Sequence, residues 1–256
     1  MKAARIFWVF ALVFIASSIY AIANSAPVLN SVVGGGKEPE PLSNNLAAYW
    51  DFDDWNETHV FDGTSNNNDG LIAGANRSYG KLGWGMVFDG VDNIINVSDA
   101  NSLDITNDLT IEAWIKINSI GEEAFKIILT KQDQSDFFVP YQIIINSRAA
   151  VGGSKSSPVA ILVLGNGSTG APAATSNQIT NMAGEWTYVA ATVSGSIIQM
   201  YVNGKPSGTA ATFNGTRQTN ANSVILGCYP GELPCSGYFN GTMDEVQIWN
   251  KALSAD

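Results

Sequence analysis

The sequence predicts an all-β protein, folded as an antiparallel sandwich of about a dozen strands. Short segments of alternating apolar and polar residues recur along the chain, and turn residues separate them at regular spacing. Long helical periods and an alternation of strands with helices are both missing from the pattern. At 256 residues, the chain is long enough for one large all-β domain or two small ones.

The first predicted strand runs from Leu46 to Asp53 and places Trp50 and Phe52 on one face. A polar loop of Asp, Asn and Gly follows, from Asp54 to Gly70. Leu109 to Ile117 has the most regular alternation in the chain. Further strands are predicted over residues 86–91, 93–97, 124–131, 141–146, 160–164, 186–193, 197–202 and 224–227. Asn203-Gly204 predicts a two-residue hairpin turn that needs φ > 0.

The last predicted strand, from Tyr238 to Leu253, raises a question about one charge. Its period of two places Asp244 on the same face as Val246 and Ile248, with Glu245 on the opposite face. A buried carboxylate is costly unless it is paired, hydrogen-bonded or bound to a metal. We therefore expect Asp244 to have a partner elsewhere, and we expect the first and last strands to lie side by side, as chain termini often do.

The N-terminus predicts an exported protein, and the charge balance disfavours some classes of partner. The chain has 13 basic and 23 acidic residues, a net charge of −10, which disfavours nucleic acid and anionic membranes as partners. Lys2 and Arg5 precede an apolar run that ends at Ala23. This pattern predicts a signal peptide over residues 1–23, with a retained membrane anchor as the alternative. Residues 24–45 are predicted to form a flexible linker, and residues 46–256 a domain that is secreted or held at the cell surface.

The chain contains two cysteines, Cys228 and Cys235, which enclose a short segment rich in proline and glycine. In an exported chain an even pair predicts a disulfide that closes a short loop. Two unpaired thiols are the alternative. A zinc site is less consistent with the sequence, because His59 is the sole histidine.

Several separated segments resemble one family of domains. In order they read AYWDFDD, VFDGTSNNNDG, GWGMVFDGVDN, LTIEAWIK, GEWTYVAATVSGSIIQMYVNGKPSG and YFNGTMDEVQIWNKALSAD. Together they resemble the concanavalin A-like, laminin-G-like jelly-roll domains over about Leu46 to Asp256. The resemblance implies two curved antiparallel sheets whose first and last strands are neighbours. It also implies a structural calcium ion, and a role as a glycan-binding or adhesive module.

The same resemblance implies which residues bind the calcium ion. Asp53 matches the family's aspartate at the end of the first strand, and Asp62 and Asn68 match its polar loop. Asp244 matches an aspartate of its last strand. Calcium takes six to eight oxygen ligands in flexible geometry, which this set suits. In the competing account, Asp244 accepts hydrogen bonds from backbone N–H groups of the polar loop and no metal is present.

The residues favour a binding module over an enzyme. Retaining glycosidases need two carboxylates about 5 Å apart, whereas Glu112 is alone on its strand and Asp244 and Glu245 are predicted to point to opposite faces. The predicted partner is a carbohydrate or cell-surface glycan, and a protein partner is the alternative. Trp84, between two glycines, and Tyr229, in the cysteine loop, are the predicted stacking residues. Either ring could instead fill the rim of the sandwich.

Overall fold

The computed structural model describes residues 44–120, 125–132, 139–165, 173–230 and 235–254. These residues form two antiparallel β-sheets that pack face to face around a hydrophobic core. The only helices among them are two short 3₁₀ helices, Asn101–Leu103 and Ala149–Val151. No helix in the described ranges is long and apolar enough to cross a membrane. The predicted leader and nearly all of the predicted linker lie outside these ranges.

The first sheet, called sheet A, contains the first and last strands of the domain. Its strands are β1 (Leu46–Trp50), β4 (Asn76–Tyr79), β5 (Trp84–Asp89), β7 (Leu109–Ile117), β12 (Trp186–Ser194), β13 (Ile197–Val202), β14 (Lys205–Thr212) and β16 (Asn240–Trp249). They lie in the order β14-β13-β12-β7-β16-β5-β4, and β1 also pairs with β16. The predicted contact between first and last strands is therefore confirmed.

The second sheet, called sheet B, closes the other side of the core. Its strands are β2 (His59–Val60), β3 (Gly70–Ala73), β6 (Ile94–Val97), β8 (Phe125–Lys131), β9 (Tyr141–Asn146), β10 (Val159–Val163), β11 (Ala173–Thr175) and β15 (Val224–Leu226). They lie in the order β11-β10-β9-β8-β15-β6-β3-β2.

The predicted all-β jelly-roll sandwich is confirmed, with more and shorter strands than expected. Sixteen strands are present in the described residues, because β2, β3, β4, β11 and β14 lie in stretches to which we assigned no strand. The first strand also ends at Trp50 rather than at Asp53. Asn203 and Gly204 both have positive φ, as the predicted hairpin turn requires.

The core forms between the inner faces of the two sheets. The apolar residues of β7 point inward together, as predicted, and meet residues of sheet B such as Ile143 and Leu162. Trp50 and Phe52 are fully buried in the same cluster. Burial of one such side chain stabilises the fold by about 1.5–3 kcal/mol, so this cluster is the main source of stability.

A β-bulge in β16 overturns the predicted orientation of Asp244. Asp244 pairs with Trp114 and Gln247 pairs with Glu112, and the register shifts between them. Met243 and Val246 consequently both lie in the core, although a regular strand would place them on opposite faces. The prediction that Asp244 shares the face of Val246 was therefore wrong. A bulge inserts one extra residue and reverses the alternation beyond it, so Asp244 lies on the outer face of sheet A with its partner Trp114.

Candidate functional site

The bulge lies where two strands meet end to end along β16. β5 pairs with residues 240–243, and β1 pairs with residues 246–249. The gap between these two strands is filled by residues 51–53, which follow β1, and by the β4–β5 turn, residues 80–84. We call the second segment the 80–84 turn and the whole region the junction.

Two aspartates hold the 80–84 turn through its backbone amides. One carboxylate oxygen of Asp244 accepts hydrogen bonds from the N–H groups of Lys81 at 2.7 Å and Leu82 at 2.9 Å. The other oxygen accepts from the N–H of Glu245 at 2.9 Å. The Asp53 carboxylate accepts from the N–H of Trp84 at 2.7 Å. The partner expected for Asp244 is therefore this turn, and not the polar loop that follows the first strand.

Two glycines make room for these carboxylates. A Cβ atom at Gly80 would lie 2.5 Å from an Asp244 carboxylate oxygen, closer than real contacts allow. At Gly83 the corresponding distance to Asp53 is 2.3 Å, and the φ of +52° lies in the left-handed region that favours glycine. The approach of both aspartates therefore depends on these glycines.

The junction is acidic, and its most deeply buried carboxylate is that of Asp244. Asp244 is fully buried, and burial raises its pKa to about 8, although hydrogen bonds from Leu82 and Lys81 oppose the shift. Burial likewise raises the pKa of Glu245 to about 7, opposed by a hydrogen bond from the Tyr49 hydroxyl. Because Glu245 reaches Tyr49, which packs on the outer cluster that contains Trp114, the predicted opposite orientation of Asp244 and Glu245 was wrong.

The other two predicted calcium ligands lie in a separate network. The Asp62 carboxylate accepts hydrogen bonds from the N–H groups of Tyr49, Thr64 and Asn68 and from the Thr64 hydroxyl, at 2.7–3.0 Å. The Asn68 side chain donates to the carbonyl oxygen of Ala47 at 2.7 Å. These bonds fasten the polar loop to β1.

The four predicted ligands therefore do not converge on one point. Asp53 and Asp244 bind the backbone of the 80–84 turn, whereas Asp62 and Asn68 lie in the polar loop. Across the ranges that the structure describes, no three His, Cys, Asp or Glu side chains are grouped so that they could hold a metal ion. The calcium ion itself stays a prediction.

An exposed pair of aromatic rings lies at the base of the 80–84 turn. Tyr79 and Trp84 are cross-strand partners, and their rings stack with centroids 4.9 Å apart and planes 11° apart. Tyr79 is 78% exposed, Leu82 42% and Trp84 37%. The guanidinium of Arg77 lies 4.2 Å from the centre of a Trp84 ring. We call Tyr79, Leu82 and Trp84 the hairpin platform. Trp84 is exposed as its flanking glycines suggested, and its binding role stays a prediction.

Tyr229, the second predicted stacking residue, lies in a different part of the molecule. It follows β15 of sheet B, is half-buried, and packs against a cluster that contains Ile127 and Ile144. Its hydroxyl accepts a hydrogen bond from the Gln132 side chain at 2.5 Å. The structure therefore does not bring Trp84 and Tyr229 together, and it leaves Tyr229 less of its ring for a ligand.

Cys228 and Cys235 are neighbours in the structure as separate thiols, with Cys228 buried and Cys235 half-buried. Burial, and then the hydrogen bond with Cys235, raises the pKa of the Cys228 thiol. The disulfide stays a prediction, which alkylation and mass spectrometry of the purified protein would test.

The outer face of sheet A carries a buried carboxylate whose partners the sequence did not reveal. Glu112 is 1% exposed and accepts hydrogen bonds from the Tyr188 hydroxyl and from the Trp249 indole N–H, the latter at 3.2 Å. Burial raises its pKa to about 7, opposed by these two bonds. Trp114 packs beside them in a second, outer cluster. The sequence signal that could have indicated this cluster is Trp114, which lies on the polar side of β7 together with Glu112.

Comparison with known proteins places this fold in a family. The family model described as the concanavalin A-like lectin/glucanases superfamily matches residues 89–256, more than half of the chain. The chain belongs to this superfamily. No curated protein matches it.

Solved structures with the same fold include parts of an enzyme and of toxins. One is Domain 4 of AbnA, a GH43 extracellular arabinanase from Geobacillus stearothermophilus, in complex with arabinotriose. It has 22% identity and a TM-score of 0.59, and the match covers 82% of this chain and 95% of that one. The botulinum neurotoxin serotype D/C binding domain has 14% identity and a TM-score of 0.61, with 83% and 50% covered. A structure of botulinum neurotoxin type C, whose cell entry is described as dependent on two ganglioside molecules, has 12% identity and a TM-score of 0.58, with 83% and 49% covered. This chain therefore spans about half of the neurotoxin chains.

Proposed function

We propose that this protein is an exported, non-catalytic glycan-binding or adhesion module, and that the hairpin platform is its glycan-contacting surface. The observation that carries the proposal is the stacked pair of Tyr79 and Trp84, which is exposed at the junction. Sugar sites combine aromatic or apolar surface with a few polar groups that fix the orientation of the ligand. At the platform, the polar edges of the two rings supply such groups.

The platform has the rigidity that favours binding. Three backbone N–H groups of the 80–84 turn donate hydrogen bonds to the carboxylates of Asp244 and Asp53, so the turn is ordered before a ligand arrives. A preformed site avoids the entropy cost of ordering a loop and its side chains on binding. A shallow, preformed aromatic surface suits recognition of a glycan at the cell surface.

Two carboxylates of sheet A are buried and fully hydrogen-bonded, which supports a non-catalytic role. Both oxygens of Glu112 accept hydrogen bonds from neighbouring side chains, and Glu112 is buried. Both oxygens of Asp244 accept backbone hydrogen bonds, and Asp244 is also buried. A glycosidase acid or nucleophile has to reach the scissile bond of the substrate, which these two groups are poorly placed to do.

The fold neighbours support the same direction at the level of fold. Domain 4 of AbnA is described in complex with arabinotriose, and the type C neurotoxin in terms of gangliosides. Because folds host many functions, this support is an analogy. The test is a screen of the purified protein on an array of neutral and sialylated glycans. Binding that Trp84→Ala weakens at least about tenfold, and that Val91→Ala leaves unchanged, supports the proposal. No binding to any glycan would favour the alternative, a structural or protein-interaction domain.

We also propose that calcium binds at the junction, with Asp53 and Asp244 as its carboxylate ligands. Asp244 and Glu245 are adjacent acids at the junction, and burial raises the pKa of both groups. A divalent cation would favour their charged forms and reduce the repulsion between them. In the competing account, the N–H groups of the 80–84 turn stabilise Asp244 without a metal.

Thermal unfolding separates the two accounts. Bound calcium stabilises the folded state by mass action, by about 2.7 kcal/mol at a free calcium concentration a hundred times the Kd. The melting temperature therefore rises with calcium, and a chelator reverses the rise. Asp244→Asn should lose this response, whereas the matched Asp62→Asn should keep it. A melting curve indifferent to calcium and chelator, in protein shown to be metal-free by elemental analysis, would leave the N–H account.

A further inference from the structure

We propose that Tyr79 is the ring that contacts the glycan, that it takes one neutral sugar residue, and that Trp84 acts as its support. This inference rests on the proposed glycan-binding function and names the contact residue and the ligand class. Sequence reasoning had placed Trp84 in the contact role. Three observations carry the inference: the exposure of each ring, the geometry of the stack and the charge of the protein.

The two rings differ in how much surface they leave free. The Trp84 ring has Tyr79 stacked on it and the Arg77 guanidinium 4.2 Å from its centre. Arg77 is itself held, since it donates a hydrogen bond to the carbonyl oxygen of Asp53 at 3.1 Å and lies 5.4 Å from the Trp55 ring. Trp84 is accordingly 37% exposed and Tyr79 is 78% exposed. Most of the aromatic surface open to a ligand therefore belongs to Tyr79.

The stack limits how many sugar residues can be accommodated. Two rings side by side in one plane would form a long strip for several consecutive sugars. Tyr79 and Trp84 instead lie one above the other, with planes 11° apart and centroids 4.9 Å apart. Such an offset stack leaves one broad open face, which matches the apolar face of a single sugar ring.

The hairpin fixes this face in position. Tyr79 and Trp84 are opposite residues of the β4–β5 ladder, and the Gly80 N–H bonds to the carbonyl oxygen of Gly83 at 3.1 Å. Asp53 binds the N–H of Trp84 directly. The ring stack therefore rests on a turn that is bonded at its first, middle and last residues.

The charges around the platform select against anionic glycans. Asp51 and Asp53 lie close to Glu245 at the junction, and the whole chain carries a net charge of −10. The two cations of the hairpin already face other groups: Arg77 lies over Trp84, and the Lys81 ammonium lies 4.4 Å from the centre of a Trp114 ring. The net negative charge of the whole chain disfavours a sialylated or sulfated sugar, whereas a neutral sugar needs only stacking and hydrogen bonds.

The test uses the same array with the full protein and a set of matched variants. It holds neutral glycans, arabinotriose among them, and sialylated ganglioside oligosaccharides. We expect the bound glycans to be neutral, and we expect Tyr79→Ala to weaken them at least about tenfold. Tyr79→Phe keeps the ring and should stay within about threefold of the parent protein, as should Val91→Ala at another exposed position. Because Tyr79 is largely exposed, melting temperatures should confirm that each variant is folded.

Competition with sugars of different size tests the single-ring geometry. The neutral monosaccharide that ends the best-bound glycan should compete with an affinity within about tenfold of the whole glycan. Competition by long glycans only would overturn the single-ring assignment. Preferred binding of sialylated glycans, or unchanged glycan binding by Tyr79→Ala, would overturn this inference while leaving the proposed function in place. If no glycan binds at all, the proposed function itself fails.

Discussion

The polar loop and the 80–84 turn are ordered by the same kind of hydrogen bond, but one is buried and the other is exposed. In each, an aspartate accepts several backbone N–H groups and fixes the path of the chain. The loop folds inward, so that Asp62 and Asn68 are buried. The turn projects outward and carries Tyr79 and Trp84 into solvent. A carboxylate that collects amide donors is therefore a means of ordering a loop, and the surrounding side chains decide whether that loop closes the domain or offers a surface.

The largest effect should come from removing the aspartate of the polar loop. Asp62→Ala deletes the acceptor of four hydrogen bonds in a buried setting. Bonds to a charged group contribute about 1.5–3 kcal/mol each, and partial rehydration of the donors offsets much of the sum. We expect a loss of about 3 kcal/mol in the free energy of unfolding, measured by urea denaturation.

The matched readout for Asp62→Ala is glycan binding by the protein that remains folded. If the polar loop serves only to close the domain, the glycan affinity of the folded variant should equal that of the parent protein. A large loss of affinity with little loss of stability would contradict the division between the two regions.

A smaller loss of stability should follow from Asp244→Ala. Three N–H groups lose their acceptor, but the removal of a buried charge beside Glu245 compensates in part, since burial is what raises the pKa of Asp244 to about 8. We expect a loss of about 2 kcal/mol, measured in chelator so that metal binding does not contribute.

The readout that distinguishes Asp244 from Asp62 is the ring stack. Asp244→Ala should change the near-ultraviolet circular dichroism of the Tyr79–Trp84 pair and weaken glycan binding. Asp244→Asn, which keeps one acceptor oxygen, should lie between the alanine variant and the parent protein. If Asp244→Ala leaves the aromatic signal and the glycan affinity intact, the turn is held by other contacts.

Glu112 extends the comparison to a carboxylate that accepts from side chains instead of amides. Burial raises its pKa from 4.5 to about 7, so protonation favours the folded state. The stability it contributes is full below pH 4.5 and is lost as the pH rises through 7. We expect the free energy of unfolding to fall between pH 5 and pH 8 by on the order of 2 kcal/mol on account of this group.

Urea denaturation of Glu112→Gln across the same pH range checks the assignment. The neutral amide is similar in size and keeps an acceptor oxygen, so the variant should show a shallower fall with pH. Part of the fall should persist, because the pKa values of Asp244 and Glu245 are raised as well. A pH profile that is unchanged in the variant would assign the dependence to the junction acids.

Local pattern was enough to predict the sandwich and much of its core. The alternation in β7 determines which of its residues face the core, because its apolar side has to pack against another sheet. The Asn203-Gly204 turn follows from backbone sterics alone. Short polar strands such as β4 were missed because their sequence resembles a loop. They form because a neighbouring strand supplies hydrogen-bond partners, which no local window contains.

The candidate site was predicted in part. The exposure of Trp84 follows from its glycine neighbours, and a partner for Asp244 follows from the cost of burying a charge. The identity of that partner did not follow, because Lys81 and Leu82 are far from Asp244 in sequence. The sequence also did not predict that Asp53 and Asp244 bind one turn while Asp62 and Asn68 lie in a separate loop. That separation depends on which segments the fold places next to each other.

The sequence by itself determined the fold class, the inward faces of the regular strands and the acidic character of the chain, since these depend on period and composition. Only the tertiary structure decided the orientation of Asp244, because a single bulge in β16 reverses the alternation that the sequence displays. It also decided that Tyr79 covers Trp84, since the two rings meet through a strand pairing across the turn. Alternation is a property of one strand, whereas bulges and ring stacks arise only when two strands are fitted together.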